Sequence, residues 1–532
     1  MSVRGLTGYP QQGFGRGLDL LSKPDNVDPA SCIDALDVLF SDRGAIQQRP
    51  GYAQLTSPQP LTNPVGSLEA FYTSSGTRQL LAGCGTRLEA LSTAGAVVDS
   101  ETGLTNAVWD FARFGKPNAE VAYAGNGTDT LRKWNGSEWT APTATVNAEG
   151  VKAMPKAGSL CVWPSGGNRL VATRFSTTTG GPGGAISSPD HVWFSDPGDP
   201  ESWHTTEPEE NQVQLMPGNG EPIQACIAWK EFVFVFKETS FFVFYAVGSD
   251  AEGGPEFLFR PVDAGVGLVA PRALCIHPTG VYFMARNGVY RTTGQEPELI
   301  SSAVEPIWSG EASPFYTGGT LATGSIANCA MGTWEDRIYL AFPTSEANSR
   351  VLVYDPNFEW WSLYSLPASC FTSFRVGSRE ELVFGYASGA NKVGRHSSSY
   401  TNDDGAAISS RWRSGWFDLD NPDRKTIRES KVWGTGVVEM GLDSDFIINA
   451  GSTVELDMTG TTGSPIGGEG FIGGEGLIGD IANALIGTQR RVAERGTTFS
   501  MFFFNSTLDQ SWSMHRVDNL LREISKPSTI NP

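Results

Sequence analysis

Short runs of alternating or continuous apolar residues, each ended by glycine, proline, asparagine or aspartate, occupy the chain from Gly66 to about Ser398. That rhythm predicts short β-strands rather than amphipathic helices. The stretch SRVLVYDPNFEWWSLY, Ser349 to Tyr364, shows one unit closely. Arg350 to Tyr354 reads as one strand and Glu359 to Tyr364 as the next, joined through Asp355-Pro356-Asn357. Proline presets φ there, and aspartate and asparagine bond back to the backbone, so these residues suit a tight turn. Two adjacent tryptophans, Trp360 and Trp361, follow with no reactive group beside them. The same ending recurs in WNGSEWT from Trp134 and in FSDPGDPESWHT from Phe194. Large aromatics at such places fill the widening gaps between radially splayed sheets, so the tryptophans are read as packing.

Five cysteines open phrases of one kind: SLCVWPSGGNRLVATRF (Cys161), QACIAWKEFVFVFKETSFFVF (Cys226), ALCIHPTGVYFMARNGVYRT (Cys275), ANCAMGTWEDRIYLAFP (Cys329) and ASCFTSFRVGSREELVFGYASG (Cys370). Segments from Gly66 and Asn106 carry the same rhythm without the cysteine. Strand-rich units about 40 to 65 residues apart predict an all-β chain with a β-propeller. Seven blades between Gly66 and Ser398 fit the units best, and six to eight are compatible with them. In the unit of Cys329, Cys329 to Met331 is expected innermost, with Arg337 to Pro343 second. The last unit supplies three strands, and DALDVLFSDRGAIQQRPGYAQL from Asp34 is expected to lend a fourth and close the ring. Inner strands crowd near the axis, where small, buried, inert cysteines fit. An odd cysteine count, with no CxxC and no Cys/His pair at ligand spacing, predicts free thiols, no metal site and no cofactor.

The text changes after the ring. Three segments are expected: 1–65, an N-terminal arm with the closing strand; 66–400, the propeller; and 401–532, an antiparallel β-sandwich. RWRSGWFDL, RESKVWGTGVVEMGLDSD, STVELDMTG, TTFSMFFFNS and SWSMHRVDNLLREIS are its strands. A glycine-rich insert at 463–487 interrupts them, with a short helix expected from Asp480 to Ile486. It spells GxGxxG twice, at Gly468, Gly470, Gly473 and at Gly474, Gly476, Gly479. No buried strand precedes either copy and a glutamate inside each would repel a pyrophosphate, so neither is read as a nucleotide site. The apolar pairs Phe471, Ile472 and Leu477, Ile478 need cover from water, which makes them candidates for a channel gate or a partner contact.

Composition narrows the function. A formal net charge of −19 argues against binding nucleic acid by phosphate neutralisation, although an acidic wall suits DNA that passes without sticking. There is no apolar run long enough for a membrane helix and no signal-peptide pattern in MSVRGLTGYPQQGFGRG, so synthesis in a cytoplasm is expected. No enzyme is expected. SDPGDPESW, Ser195 to Trp203, departs from the sialidase Asp-box in its glycine and tryptophan spacing, no GxSxG or HExxH occurs, and the five histidines are read as structural.

GLDLLSKPDNVDPASCIDALDVLFSDRGAIQQRPGY resembles the opening of bacteriophage tail propeller proteins, with Asp37, Gly44, Ile46, Arg49, Pro50 and Gly51 in the patterned places. RWRSGWFDLDNPDRKTIRESKVWGTG, Arg411 to Gly436, and FSMFFFNSTLDQSWSMHRVDNL are similar to that family's C-terminal part. The glycine-rich insert is outside the pattern. The resemblance implies a tail hub, nozzle or packaged-DNA stabilisation protein of a short-tailed phage. Such a virion component is a homo-hexameric ring that retains the packaged genome and conducts it at ejection. Its implied partners are the tail adaptor, tail fibre or spike proteins, transiently passing DNA and the host envelope. The alternative is a receptor-binding or glycan-degrading tail propeller.

Overall fold

The computed structural model describes residues 7–523 apart from 144–153, 460–485 and shorter stretches. Seven antiparallel four-stranded sheets follow one another, a seven-bladed β-propeller. The first strands of the blades are Ser67–Tyr72, Asp110–Phe114, Ala157–Trp163, Ala225–Trp229, Leu274–His277, Ala330–Trp334 and Ala368–Val376. Each touches the first strand of the next blade, and the seventh touches the first, so these strands surround the axis. In blade six the strands are Ala330–Trp334, Arg337–Pro343, Asn348–Asp355 and Trp360–Tyr364. The expected innermost strand thus begins one residue later than Cys329. The Asp355 carboxylate accepts from the backbone N–H of Asn357 at 3.0 Å and of Phe358 at 3.4 Å, which fixes the turn before the tryptophans.

Blade seven takes its fourth strand from Tyr52–Gln54, with His396 opposite Tyr52 and Gly394 opposite Gln54. That pairing joins segments far apart in sequence and removes the free edge that a three-stranded blade would present. The other N-terminal strands lie elsewhere. Thr7–Gln11, Gly17–Leu18, Ser31–Leu36, Val38–Phe40 and Ile46–Gln48 all enter the second sheet.

That sheet has eleven strands and is mostly antiparallel, with one parallel pair between Gly17–Leu18 and Ser31–Leu36. The expected sandwich takes the form of one nearly closed sheet bent along the twenty-residue strand Lys425–Ser444. Its first half pairs with Ile486–Gly496 and Ser513–Glu523, and its second half with Val454–Met458 and Phe499–Asn505. The change falls at Gly434 and Gly436. A Cβ at either would stand 2.2 Å from the Ser513 carbonyl oxygen or 2.0 Å from that of Ser511, and Gly436 has φ +82°. Only glycine lets the strand turn the corner while its neighbour crosses so closely. Ile486, expected to end a helix, instead opens the strand Ile486–Gly496; residues 480–485 lie outside the described part.

Candidate functional site at the propeller axis and its joint to the second sheet

The axis is built by the first strands and by one side chain laid across them. Arg272, just before the first strand of blade five, donates through Nη1 to the carbonyls of Gly66 at 2.7 Å and Ser369 at 3.1 Å. Its Nη2 lies 3.5 Å from the carbonyl of Asn328. One arginine therefore ties blade five to blades six, seven and one, including the seam where the ring closes. Beneath it lies a cavity of about 450 Å³ that touches all seven blades. A second of about 690 Å³ opens at the other mouth, and Glu69, Arg113, Ile227, Ile276, Met331 and Phe371 line both.

The repeat cysteines stand where the crowding near the axis demands small side chains. Cys161, Cys226, Cys275 and Cys370 lie on the first strands of blades three, four, five and seven, and Cys329 immediately precedes that of blade six. All are buried and free. Burial pushes the Cys329 thiol up to about 12 and raises that of Cys275, while a hydrogen bond with Cys226, then burial, raises that of Cys161, so these groups are unreactive near neutral pH.

Charge at the axis is concentrated on the side of blades one to three. The Glu69 carboxylate pairs with the Arg113 guanidinium at 2.8 Å. Asp110 accepts from the Ser159 hydroxyl at 2.8 Å and from the Leu160 backbone N–H at 2.9 Å. Desolvation pushes Glu69 up to about 7, aided by Asp110 and opposed by Arg113. A carboxyl raised on folding adds stability only while it is protonated, and that contribution is lost as pH rises from its unfolded value through about 7. Glu69→Gln, which mimics the neutral form, is therefore expected to gain up to about 3 kcal/mol over the native chain at pH 8, and much less at pH 5. Urea unfolding at the two pH values checks it. An equal effect at both would show that Glu69 does not titrate there.

The residues that carry the family resemblance meet at the joint between propeller and second sheet. The fully buried Arg49 pairs with Asp37 at 2.5 Å and with Asp403 at 2.7 Å. The Ser365 backbone N–H and hydroxyl both donate to Asp37, at 2.8 and 2.6 Å. Burial works against the charged guanidinium, but Asp37 and then Asp403 outweigh it and raise its pKa. Gly51 lies so close to the following loop that a Cβ would stand 2.0 Å from the Asn402 carbonyl oxygen. Gly44 has φ +74°, as a glycine turn requires. Ile46, fully buried, pairs with Phe40 and Met514 in the second sheet. His396 donates through Nδ1 to the Gly51 carbonyl at 2.9 Å, and burial, then Arg49, lower its pKa to about 3, so it stays neutral.

The paired tryptophans also belong to this joint. Trp360 packs on Phe40 with ring centroids 5.4 Å apart, and Trp361 on Tyr354 at 4.6 Å. Gly17 passes over their backbone with φ +74°, where a Cβ would stand 2.7 Å from the Trp361 carbonyl oxygen. The Asp37 backbone N–H donates to the Leu363 carbonyl at 2.7 Å. The outermost strand of blade six is thus the seat of the second sheet, and the hydrophobic core runs across it without a break. Sequence reasoning assigned these rings to the gaps between blades; only Trp361, whose Nε1 donates to Ile300 at 3.2 Å, reaches toward blade five.

Phe471, Ile472, Leu477 and Ile478 lie outside the described residues. The SDPGDPESW segment forms a rim cluster: Asp196 pairs with His204 at 2.8 Å, and Glu201 accepts from the Tyr123 hydroxyl at 2.7 Å and Lys133 at 2.6 Å. This Tyr–Glu pair, hidden in the sequence because its members are on different blades, links blades two and three outside the axial cavities. His277 shares a hydrogen with the Thr279 hydroxyl at 2.7 Å, and His191 Nδ1 accepts from the Ser188 N–H at 2.6 Å. Among the described residues, no three His, Cys, Asp or Glu converge in a metal-holding group.

No family model and no curated protein matches the chain. Among solved structures, the fold is similar to the following. BBS1N in complex with ARL6DN is 11% identical with a TM-score of 0.36, over 65% of this chain and 97% of that one. The extracellular domain of a putative one-component system from B. thetaiotaomicron is 10% identical with a TM-score of 0.40, over 81% and 57%. The Dos1 propeller is 10% identical with a TM-score of 0.34, over 73% and 95%. These likenesses concern the β-propeller fold alone.

Proposed function

We propose that the chain is a structural, non-catalytic virion protein, the tail hub or nozzle of a short-tailed phage. In this reading it assembles as a homo-hexameric ring, retains packaged DNA and conducts it at ejection. The observation that carries the reading is the joint. The patterned residues Asp37, Arg49 and Gly51, with Asp403, lock the second sheet to the propeller through a buried ion pair and a glycine contact. A tail part under the pressure of a packed genome needs such a rigid body. Arg272 crosses the subunit's own axis and the cavities there are of small-molecule size, so a duplex would run between copies and not through one. A head-to-tail contact that closes by rotation provides such a duct, and a net charge of −19 keeps its wall from holding phosphate. The tail adaptor and the fibre or spike proteins are the expected neighbours. Light scattering and negative-stain microscopy of the purified chain are expected to show a six-membered ring with an open centre. A monomer or a trimer, or sugar released from host capsule, would overturn this in favour of a receptor-binding or depolymerising propeller.

A further inference from the structure

Arg174 belongs to the second strand of blade three, yet it lines the axial cavity. Two features bring it there. Arg174 has φ +59°, a conformation that strains any residue with a Cβ and that persists only where the surroundings impose it. Opposite it stands Gly158, at the step where the ladder passes from Ala157↔Phe175 directly to Ser159↔Thr173. A Cβ at Gly158 would lie 2.8 Å from the Arg174 carbonyl oxygen and 3.5 Å from its Cγ. The missing side chain leaves a gap through which the arginine crosses the inner strand.

The guanidinium arrives with little to bind. Among the described residues its one side-chain hydrogen bond is a long one, from Nη1 to the Gly158 carbonyl at 3.4 Å. Asp110, the nearby anion, is already engaged by Ser159, Leu160 and its neighbour Phe111. Arg272, across the cavity, is committed to backbone carbonyls and repels it. Burial, opposed by Asp110 and aided by that repulsion, holds the Arg174 pKa below the ordinary arginine value. A planar fork of donors in a partly dry cavity matches a carboxylate in two-point geometry. The walls beyond it include Ile227, Ile276, Met331 and Phe371, which suit an apolar body, and the charged Glu69 and Arg113 there are already paired with each other.

We propose that the axial cavity is a binding site for a small organic carboxylate, its acid group on Arg174 and its apolar body against Ile227, Met331 and Phe371. The site goes beyond the ring-forming role and stands or falls apart from it. Isothermal titration of the full chain at low ionic strength, with benzoate, hexanoate and inorganic phosphate as probes, tests it. Benzoate and hexanoate are expected to bind saturably, one per chain, and at least fivefold more tightly than phosphate. Arg174→Met is expected to weaken them at least tenfold, while Arg375→Met, at the far mouth, leaves binding unchanged. Arg174→Lys keeps the charge without the fork and is expected to fall between, which guards against a variant that merely misfolds; a thermal melt without ligand reports folding. Absence of saturable binding to the native chain, phosphate binding as tightly as benzoate, or undiminished binding in folded Arg174→Met would each overturn the assignment.

Discussion

Arg49→Met is expected to destabilise the chain by about 3–5 kcal/mol, because it leaves Asp37 and Asp403 facing each other in a buried site without their cation. The arginine has 0% side-chain exposure, against 1% for Asp37 and 12% for Asp403, so water cannot take over its role. Arg49→Lys is expected to recover only part of the loss, since a single ammonium cannot reproduce the fork that spans both carboxylates, the Pro50 carbonyl and the Ser365 hydroxyl. Urea unfolding followed by tryptophan fluorescence is a direct measure, because Trp360 sits on the same joint with 1% exposure. A loss below about 1 kcal/mol, the range of exposed pairs, would mean that the joint is solvated.

Arg272→Met should cost about 3 kcal/mol, the second large effect, by stranding the carbonyls of Gly66 and Ser369 at the seam of the ring. The loss should be local before it is global. Amide exchange is expected to rise first in Ser67–Tyr72 and Ala368–Val376, the first strands on either side of the seam, while Ala157–Trp163 keeps its protection. Uniform loss over all blades would show that Arg272 supports the ring generally and not its closure.

The repeat was legible because a blade states its own period. Alternating strands, the Asp355 turn and a small residue at each inner strand are local requirements, so the expected strand starts of blade six, Cys329, Arg337, Arg350 and Glu359, fall within a residue or two of the observed Ala330, Arg337, Asn348 and Trp360. The borrowed strand Tyr52–Gln54 was readable for another reason: the last unit lacked a fourth strand and its edge had to be covered. The rest depends on contacts that no local pattern encodes. Thr7–Gln48 looked like an arm because its strands are short and their partners, Ser410–Ser414 and Ser513–Glu523, come hundreds of residues later. Ile486–Gly496, with its run of charged residues, did not alternate as a half-buried strand should. At the axis, Glu69, Asp110, Arg174 and Arg272 come from different strands and loops, and only folding brings them together. The positive φ of Arg174 leaves no trace in composition, although Gly158 beside the Cys161 phrase marked the gap it passes through.

Strand Thr7–Gln11 pairs along its whole length with Ser513–Glu523, Thr7 opposite Leu521 and Gln11 opposite Val517. The propeller is therefore an insertion between the two halves of the other sheet. Its blades are made of neighbours in sequence and can form early, whereas the bent sheet must bring together segments at opposite ends of the described chain. A nascent chain would carry a nearly finished propeller whose Trp360–Tyr364 strand can already receive Gly17, Asp37 and Phe40, while Thr7–Gln11 and Ser31–Leu36 still wait for Ser513–Glu523 and Ser410–Ser414. The step that completes the sheet is then the one that decides between a sound subunit and an aggregate. It also means that the second sheet is complete only once Thr7–Gln11 has met Ser513–Glu523.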